Sequence, residues 1–144
     1  MMLYLTSHQI LALSVCALWM KGAALSLGQV LIRVRTRRYV RPEDAQMMGL
    51  DPKAEDERVE RLAGAWRNEL EATPAFLALA IVHVLVSGSA HPFGLICLCF
   101  VVARFLQGWA QFSLRQPLRT LAFLLGFAAT FALAVLVLQQ GFKQ

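Results

Sequence analysis

The chain places charged side chains beside long apolar runs, at spacings that suit one task. In the stretch RNELEATPAF, residues 67–76, Arg67 and Glu71 stand four apart and Asn68 and Glu71 three apart. On a helix those intervals put all three on one side. Arg104, Gln107 and Gln111 follow an i, i+3, i+7 pattern, which is a second polar stripe. Arg119 and Thr120 come just after Pro117, a residue suited to the first turn of a helix. Guanidinium groups bind carboxylate-like anions through paired hydrogen bonds. A helix N-terminus adds its dipole to that attraction. The chemistry these residues could do together is to hold, and to stabilise, a small anion.

The elements that must carry them are unusual for such polar residues. The chain has 144 residues, enough for one domain. It is 58% hydrophobic, with a mean hydropathy of +0.55. Four apolar runs, at about 9–32, 72–86, 92–114 and 118–138, account for the excess. A membrane-spanning helix needs about 20 mostly apolar residues. The second run reaches that length only if its polar lead-in, residues 61–71, continues the same helix. The first run has no Lys or Arg before it, and it exceeds the usual signal-peptide core of about 7–15 residues. It therefore reads as a retained helix. The expectation is an all-α, integral membrane four-helix bundle forming one domain over 1–144. Its helices fall at about 8–33, 57–86, 92–114 and 117–140, with a loop over 34–56. Pro74 should kink the second helix, because it removes a backbone hydrogen bond.

Charge gives the topology. All nine acidic residues lie between Glu43 and Glu71. The segment joining the first two helices carries Arg33, Arg35, Arg37, Arg38, Arg41, Lys53, Arg58 and Arg61. The next link, SGSAHP, has no Lys or Arg; the third carries Arg115 and Arg119, and the tail Lys143. Positive charge marks the cytoplasmic side. Both termini are thus expected outside, and a site beside the arginines faces the cytoplasm. The net charge of +5 belongs to this bias. Arginines that flank a membrane span suit anionic lipid headgroups or an anionic ligand, and no nucleic-acid partner is expected. Cys16, Cys97 and Cys99 lie in apolar runs, and His8, His83 and His91 are scattered, so no metal site is expected.

Depth can be counted at about 1.5 Å per residue. From the outer helix ends, Glu71 lies roughly 24 Å down, and Arg104 and Lys21 each roughly 20 Å. Arg67, Asn68, Gln111 and Arg119 lie slightly deeper. This count predicts Glu71 as the partner of Arg104 or Lys21. One carboxylate neutralises only one such cation, and buried charges at this depth cost several kcal/mol each unless paired. The surplus favours a bound anion over a purely internal ion-pair scaffold.

The motif N-x-x-E-x-x-P, here Asn68, Glu71 and Pro74, resembles the signature of the MAPEG family, the membrane-associated proteins in eicosanoid and glutathione metabolism. The blocks RVRTRRYVRPEDA (33–45) and VERLAGAWRNELE (59–71) resemble its microsomal glutathione transferase and prostaglandin E synthase branch. ARFLQGWAQFSLRQPLRT (103–120) does so less tightly. The resemblance implies a homotrimer with glutathione in clefts between subunits. It implies that Arg33 approaches the ligand and that Arg67, Asn68 and Glu71 hold its charged ends, with Arg104 orienting Glu71 and Gln107 and Gln111 alongside. Arg119 would face the thiol, Thr120 would offer a hydroxyl, and Asp44 would be the acid that pairs with Arg119. The chain departs from the family where Gln107 and Gln111 replace aromatic or histidine side chains. It also has Thr120 for a serine and Phe123 for a tyrosine. Those departures argue against a prostaglandin synthase.

The expected activity is a membrane-embedded glutathione transferase that conjugates glutathione to lipophilic electrophiles arriving from the bilayer. Peroxide reduction is open to the same thiolate. The alternative is a non-enzymatic lipid-binding or scaffold protein of the same fold; Arg33, Arg67 and Arg119 beside Asn68 and Glu71 favour glutathione. A small four-helix drug exporter would want an acidic residue in the first helix, where this chain has Lys21. The expected location is a bacterial inner membrane, with the endoplasmic reticulum membrane as the alternative.

Overall fold

The computed structural model describes residues 5–86, 88–113 and 116–142. Ser87, Arg115 and Lys143, which carry part of the depth and charge reading, lie outside the described residues. Among those described there are five helices and no strand: α1 (Ser7–Thr36), α2 (Pro42–Met47), α3 (Glu57–Leu85), α4 (Ala90–Phe112) and α5 (Gln116–Gly141). All but α2 are long and apolar enough to cross a membrane.

Three of the helix starts are encoded locally. Thr6 and Gln9 form a reciprocal capping box on α1, satisfying two backbone donors that the first turn leaves free. Asp56 caps α3 by accepting from the Arg58 amide. Hydrogen bonds from the Arg58 guanidinium and amide hold the Asp56 carboxyl at about 2, below its ordinary 3.8. Pro42 opens α2, a short helix inside what reads in sequence as a loop, and Gly49 at φ 66° turns the chain after it. The α3 helix runs through Pro74 without interruption. At about 44 Å for its 29 residues, α3 is longer than a membrane core about 30 Å thick. Its polar first turns therefore have room to project.

The four long helices bury a narrow seam and turn large apolar side chains outward. Leu18, Phe76, Phe93, Phe100 and Leu133 meet in the centre, where the Phe76 and Phe100 rings stack at 3.8 Å. Trp19, Leu27, Phe127 and Phe131 are among those that face out. That inversion suits a lipid environment, which takes apolar surface without cost. Near the other end, α1 and α3 approach closely where Gly22 meets the Trp66 ring; a Cβ on Gly22 would lie 2.8 Å from Trp66 Cζ3. This contact sets the height of α3 against α1, and with it the height of the charged residues that follow Trp66.

Candidate functional site

One face of α3 is buried along Val59, Leu62, Ala65, Glu69, Phe76, Ala80 and His83. Glu69 lies on that stripe. Successive helical residues turn by about 100°, so Glu71 stands about 200° away, on the outward side. The structure accordingly pairs Glu69, not Glu71, with both cations. Lys21 Nζ donates to Glu69 Oε1 and to the Arg104 carbonyl. Arg104 Nη2 donates to Glu69 Oε1 at 2.9 Å and to the Asn68 carbonyl at 2.6 Å. Arg104 Nη1 donates to Gln107 Oε1, and Thr73 Oγ1 donates to Glu69 Oε2 at 3.3 Å. All three charged residues are at most 8% exposed.

This corrects the expected partnership of Glu71 with Arg104 or Lys21. Counting depth along a helix fixes height but not direction, and the two carboxylates differ by only about 3 Å in height. Glu69 is the residue that sequence reasoning missed. Its signal was present: it continues the apolar rhythm of Leu62, Ala65, Phe76 and Ala80, where a charge must be paired.

Glu71 is thereby left free. It lines an open cleft of about 490 Å³ with Gly64, Arg67, Asn68, Gln107, Gln111, Arg119, Thr120 and Phe123. Ligand pockets commonly run from about 300 to 1,000 Å³. The cleft collects side chains from α3, α4 and the first turns of α5. Among the described residues, the side chains of Arg67, Glu71 and Arg119 have no ion-pair or hydrogen-bond partner. Asn68 Nδ2 donates to Gln111 Oε1 at 3.3 Å, and Gln111 Nε2 donates to the Arg61 carbonyl at 3.4 Å. The Thr120 hydroxyl donates back to the Gln116 carbonyl at 3.3 Å, so it must rotate before it can serve a ligand.

A second cavity of about 350 Å³ shares Asn68, Glu71, Gln107 and Phe123 with the first. It continues past Arg104 along mostly apolar walls: Ala72, Ala75, Gly126 and Phe127, with Thr130 beyond. The polar cleft and the apolar compartment meet at Phe123.

Two expected residues are not brought to the cleft. Arg33 Nε donates to Glu55 Oε2 at 3.0 Å, which ties the end of α1 to the segment before α3. Asp44 is exposed on α2, and no ion pair joins it to Arg119 among the described residues. Among the described residues α2 packs against none of the four long helices, α5 included, and Arg33 is held at Glu55. Arg104 is present but inward, behind Gln107.

Comparison with known proteins adds context to this geometry. The family model described as the MAPEG family matches residues 10–139. Microsomal glutathione S-transferase 1 of Sus scrofa is 31% identical over 121 residues, covering 80% of this chain and 78% of that protein. Prostaglandin E synthase of Equus caballus is 33% identical over 106 residues, covering 72% and 68%. Human microsomal glutathione S-transferase 1 is 29% identical over 125 residues, covering 83% and 81%.

Proposed function

The chain belongs to the MAPEG family as a multi-pass integral membrane protein, and we propose that it is a glutathione transferase that conjugates the tripeptide to lipophilic electrophiles. The observation that carries this reading is the cleft itself, where two guanidinium groups and one carboxylate stand without partners among the described residues. Glutathione has the complementary set: two carboxylates, one ammonium and a thiol. Arg67 takes a carboxylate. Asn68 and Glu71 take the ammonium. Arg119, in the first turns of α5, takes the sulfur.

The chemistry then follows from charge. A thiol becomes a strong nucleophile only when ionised. A fixed guanidinium and a helix N-terminus both favour the anion. The thiol proton leaves to solvent through the open side of the cleft. The thiolate attacks the electrophilic carbon and a C–S bond forms; in a displacement the bond to the leaving group breaks and that group departs as an anion with the electron pair, and in an addition the new carbanion takes a proton from water. The apolar compartment beside Phe123 suits the electrophile, which is soluble in the bilayer rather than in water. Peroxide reduction uses the same thiolate, with an O–O bond as its target.

In this reading Arg67, Glu71 and Arg119 face outward because a second copy closes the cleft, giving a homotrimer whose site faces the cytoplasm. Arg33 and Asp44 would then serve a neighbouring subunit's cleft rather than their own. Native mass spectrometry in detergent that finds only monomers or dimers would reject that assembly. The function is tested by calorimetry of the detergent-purified protein with glutathione, followed by conjugation of a chlorinated nitroaromatic. Binding with conjugate formation is expected. An absence of binding would leave the non-enzymatic scaffold reading in place.

A further inference from the structure

We propose that Gln111 is a positioning residue: it fixes the side-chain amide of Asn68 so that an oxygen acceptor, not an N–H donor, faces the cleft. The Asn68–Glu71 corner then selects ligands that carry an ammonium group. The inference rests on the glutathione reading and adds to it a determinant of specificity.

The hydrogen bonds run outward from a group that has no choice. The Arg61 carbonyl can only accept. Gln111 Nε2 lies 3.4 Å from it and donates. The oxygen of the same amide is therefore turned the other way, toward Asn68. An acceptor there requires a donor from Asn68, which presents Nδ2 at 3.3 Å. Asn68 Oδ1 is left over, without a protein partner among the described residues, on a side chain that lines the cleft. Reversing the chain would set the Gln111 oxygen against the Arg61 carbonyl, two acceptors face to face, and leave the Gln111 oxygen without a donor.

Gly64 makes the arrangement possible. It lies on α3 opposite Gln111, and a Cβ there would stand 2.6 Å from Gln111 Nε2. Any side chain at position 64 pushes the Gln111 amide away from the Arg61 carbonyl and removes the anchor. Glu71 completes the corner: it is exposed, three residues beyond Asn68 on the same side of α3. The result is a corner where Asn68 Oδ1 and the Glu71 carboxylate are both acceptors, with guanidinium donors elsewhere in the cleft at Arg67 and Arg119. An ammonium has three N–H donors and no acceptor, so it fits that corner and no other.

The test compares glutathione with its des-amino analogue, the same tripeptide with hydrogen in place of the α-amino group. Affinities are measured by calorimetry on the detergent-solubilised full chain. Wild type should prefer glutathione by at least tenfold. Gln111→Met and Gly64→Ala should each reduce that ratio roughly tenfold, the usual consequence of losing one well-placed acceptor. Affinity for the des-amino analogue should stay within about twofold, which a general loosening of the site would not allow. Asn68→Asp should keep the preference, because a carboxylate presents an acceptor in either orientation. If both ligands weaken together in Gln111→Met, or if the ratio is unchanged in both Gln111→Met and Gly64→Ala, the positioning role is overturned. If wild type binds both tripeptides equally, the glutathione reading stands and this inference falls. If it binds neither, the glutathione reading itself fails.

Discussion

Two clusters on different faces of α3 hold the same inventory of charge. Inside the bundle, Lys21 and Arg104 share Glu69. In the cleft, Arg67 and Arg119 stand with Glu71. Each has two cations and one carboxylate, and the two carboxylates are two residues apart in sequence. The inner cluster is closed in charge: its carboxylate bridges both cations, and further N–H donors go to the Arg104 and Asn68 carbonyls and to Gln107, while Arg104 Nε stays buried without a partner among the described residues. The outer cluster is open, with none of its three charges in an ion pair among the described residues. Composition therefore does not decide which charges bind a ligand; partnership does. The closed cluster also braces the open one, because Arg104 grips the Asn68 carbonyl from behind while the Asn68 side chain faces the cleft.

The largest effect should come from opening the closed cluster. Glu69→Gln would leave Lys21 and Arg104 as buried cations without a counter-charge. Removing one partner of a buried pair costs about 3–5 kcal/mol. The variant should melt far below wild type in detergent, or fail to accumulate. Glu71→Gln, two residues on, should leave the melting temperature nearly unchanged. Equal melting curves for the two variants would erase the distinction between the clusters.

The same Glu71→Gln protein should lose ligand affinity instead. A hydrogen bond to a charged group is worth about 1.5–3 kcal/mol, so glutathione should bind about 10- to 100-fold more weakly. Wild-type affinity would leave Glu71 without a role in the cleft.

Arg119→Leu sharpens the comparison within the open cluster. It should remove thiolate formation while affinity falls less, since Arg67, Asn68 and Glu71 still hold the rest of the tripeptide. Each unit by which Arg119 lowers the thiol pKa is about 1.4 kcal/mol of thiolate stabilisation. Thr120→Val should have the smaller effect, because the Thr120 hydroxyl is engaged with the Gln116 carbonyl. Thiolate absorbance in the ultraviolet reads both. A full signal in Arg119→Leu would move the activating role to Arg67.

Much of this was legible in the sequence, for physical reasons. Long apolar runs and helix length gave the four-helix plan, and the i, i+3, i+4 intervals gave the shared face of Arg67, Asn68 and Glu71. Pro117 marked the turn that brings Arg119 to the same cleft. What was hidden was direction around the helix axis. Glu69 and Glu71 differ little in height, so only the apolar rhythm beside Glu69 separates them, and a charge on an apolar stripe is easily read as an interruption. The short helix α2 was hidden for another reason: at six residues it has no periodicity to detect, although Pro42 at its first turn is a start signal. The pairing of Arg33 with Glu55 depends on how the chain folds back before α3, which local spacing does not encode.

The smallest effect lies outside both clusters and serves as their control. Asp56 caps α3 in water, where its carboxylate accepts from the Arg58 amide and guanidinium. Its carboxyl is held at about 2 against an ordinary 3.8. The folded value is the lower one, so the contribution to α3 is complete above about 3.8 and disappears as the pH falls through about 2. Asp56→Asn keeps a capping oxygen but has no charge to titrate. Protection of the amides over residues 57–61, taken relative to the intrinsic exchange rate at each pH, should therefore fall between pH 4 and pH 2 in wild type more than in the variant. Exchange on the buried part of α3 should not distinguish the two proteins, because the Glu69 cluster is held by Lys21 and Arg104 and not by the cap. If Asp56→Asn also changed exchange around Glu69, the cap and the closed cluster would form one cooperative unit. The contrast between water-facing and lipid-facing ends of α3 would then have to be redrawn.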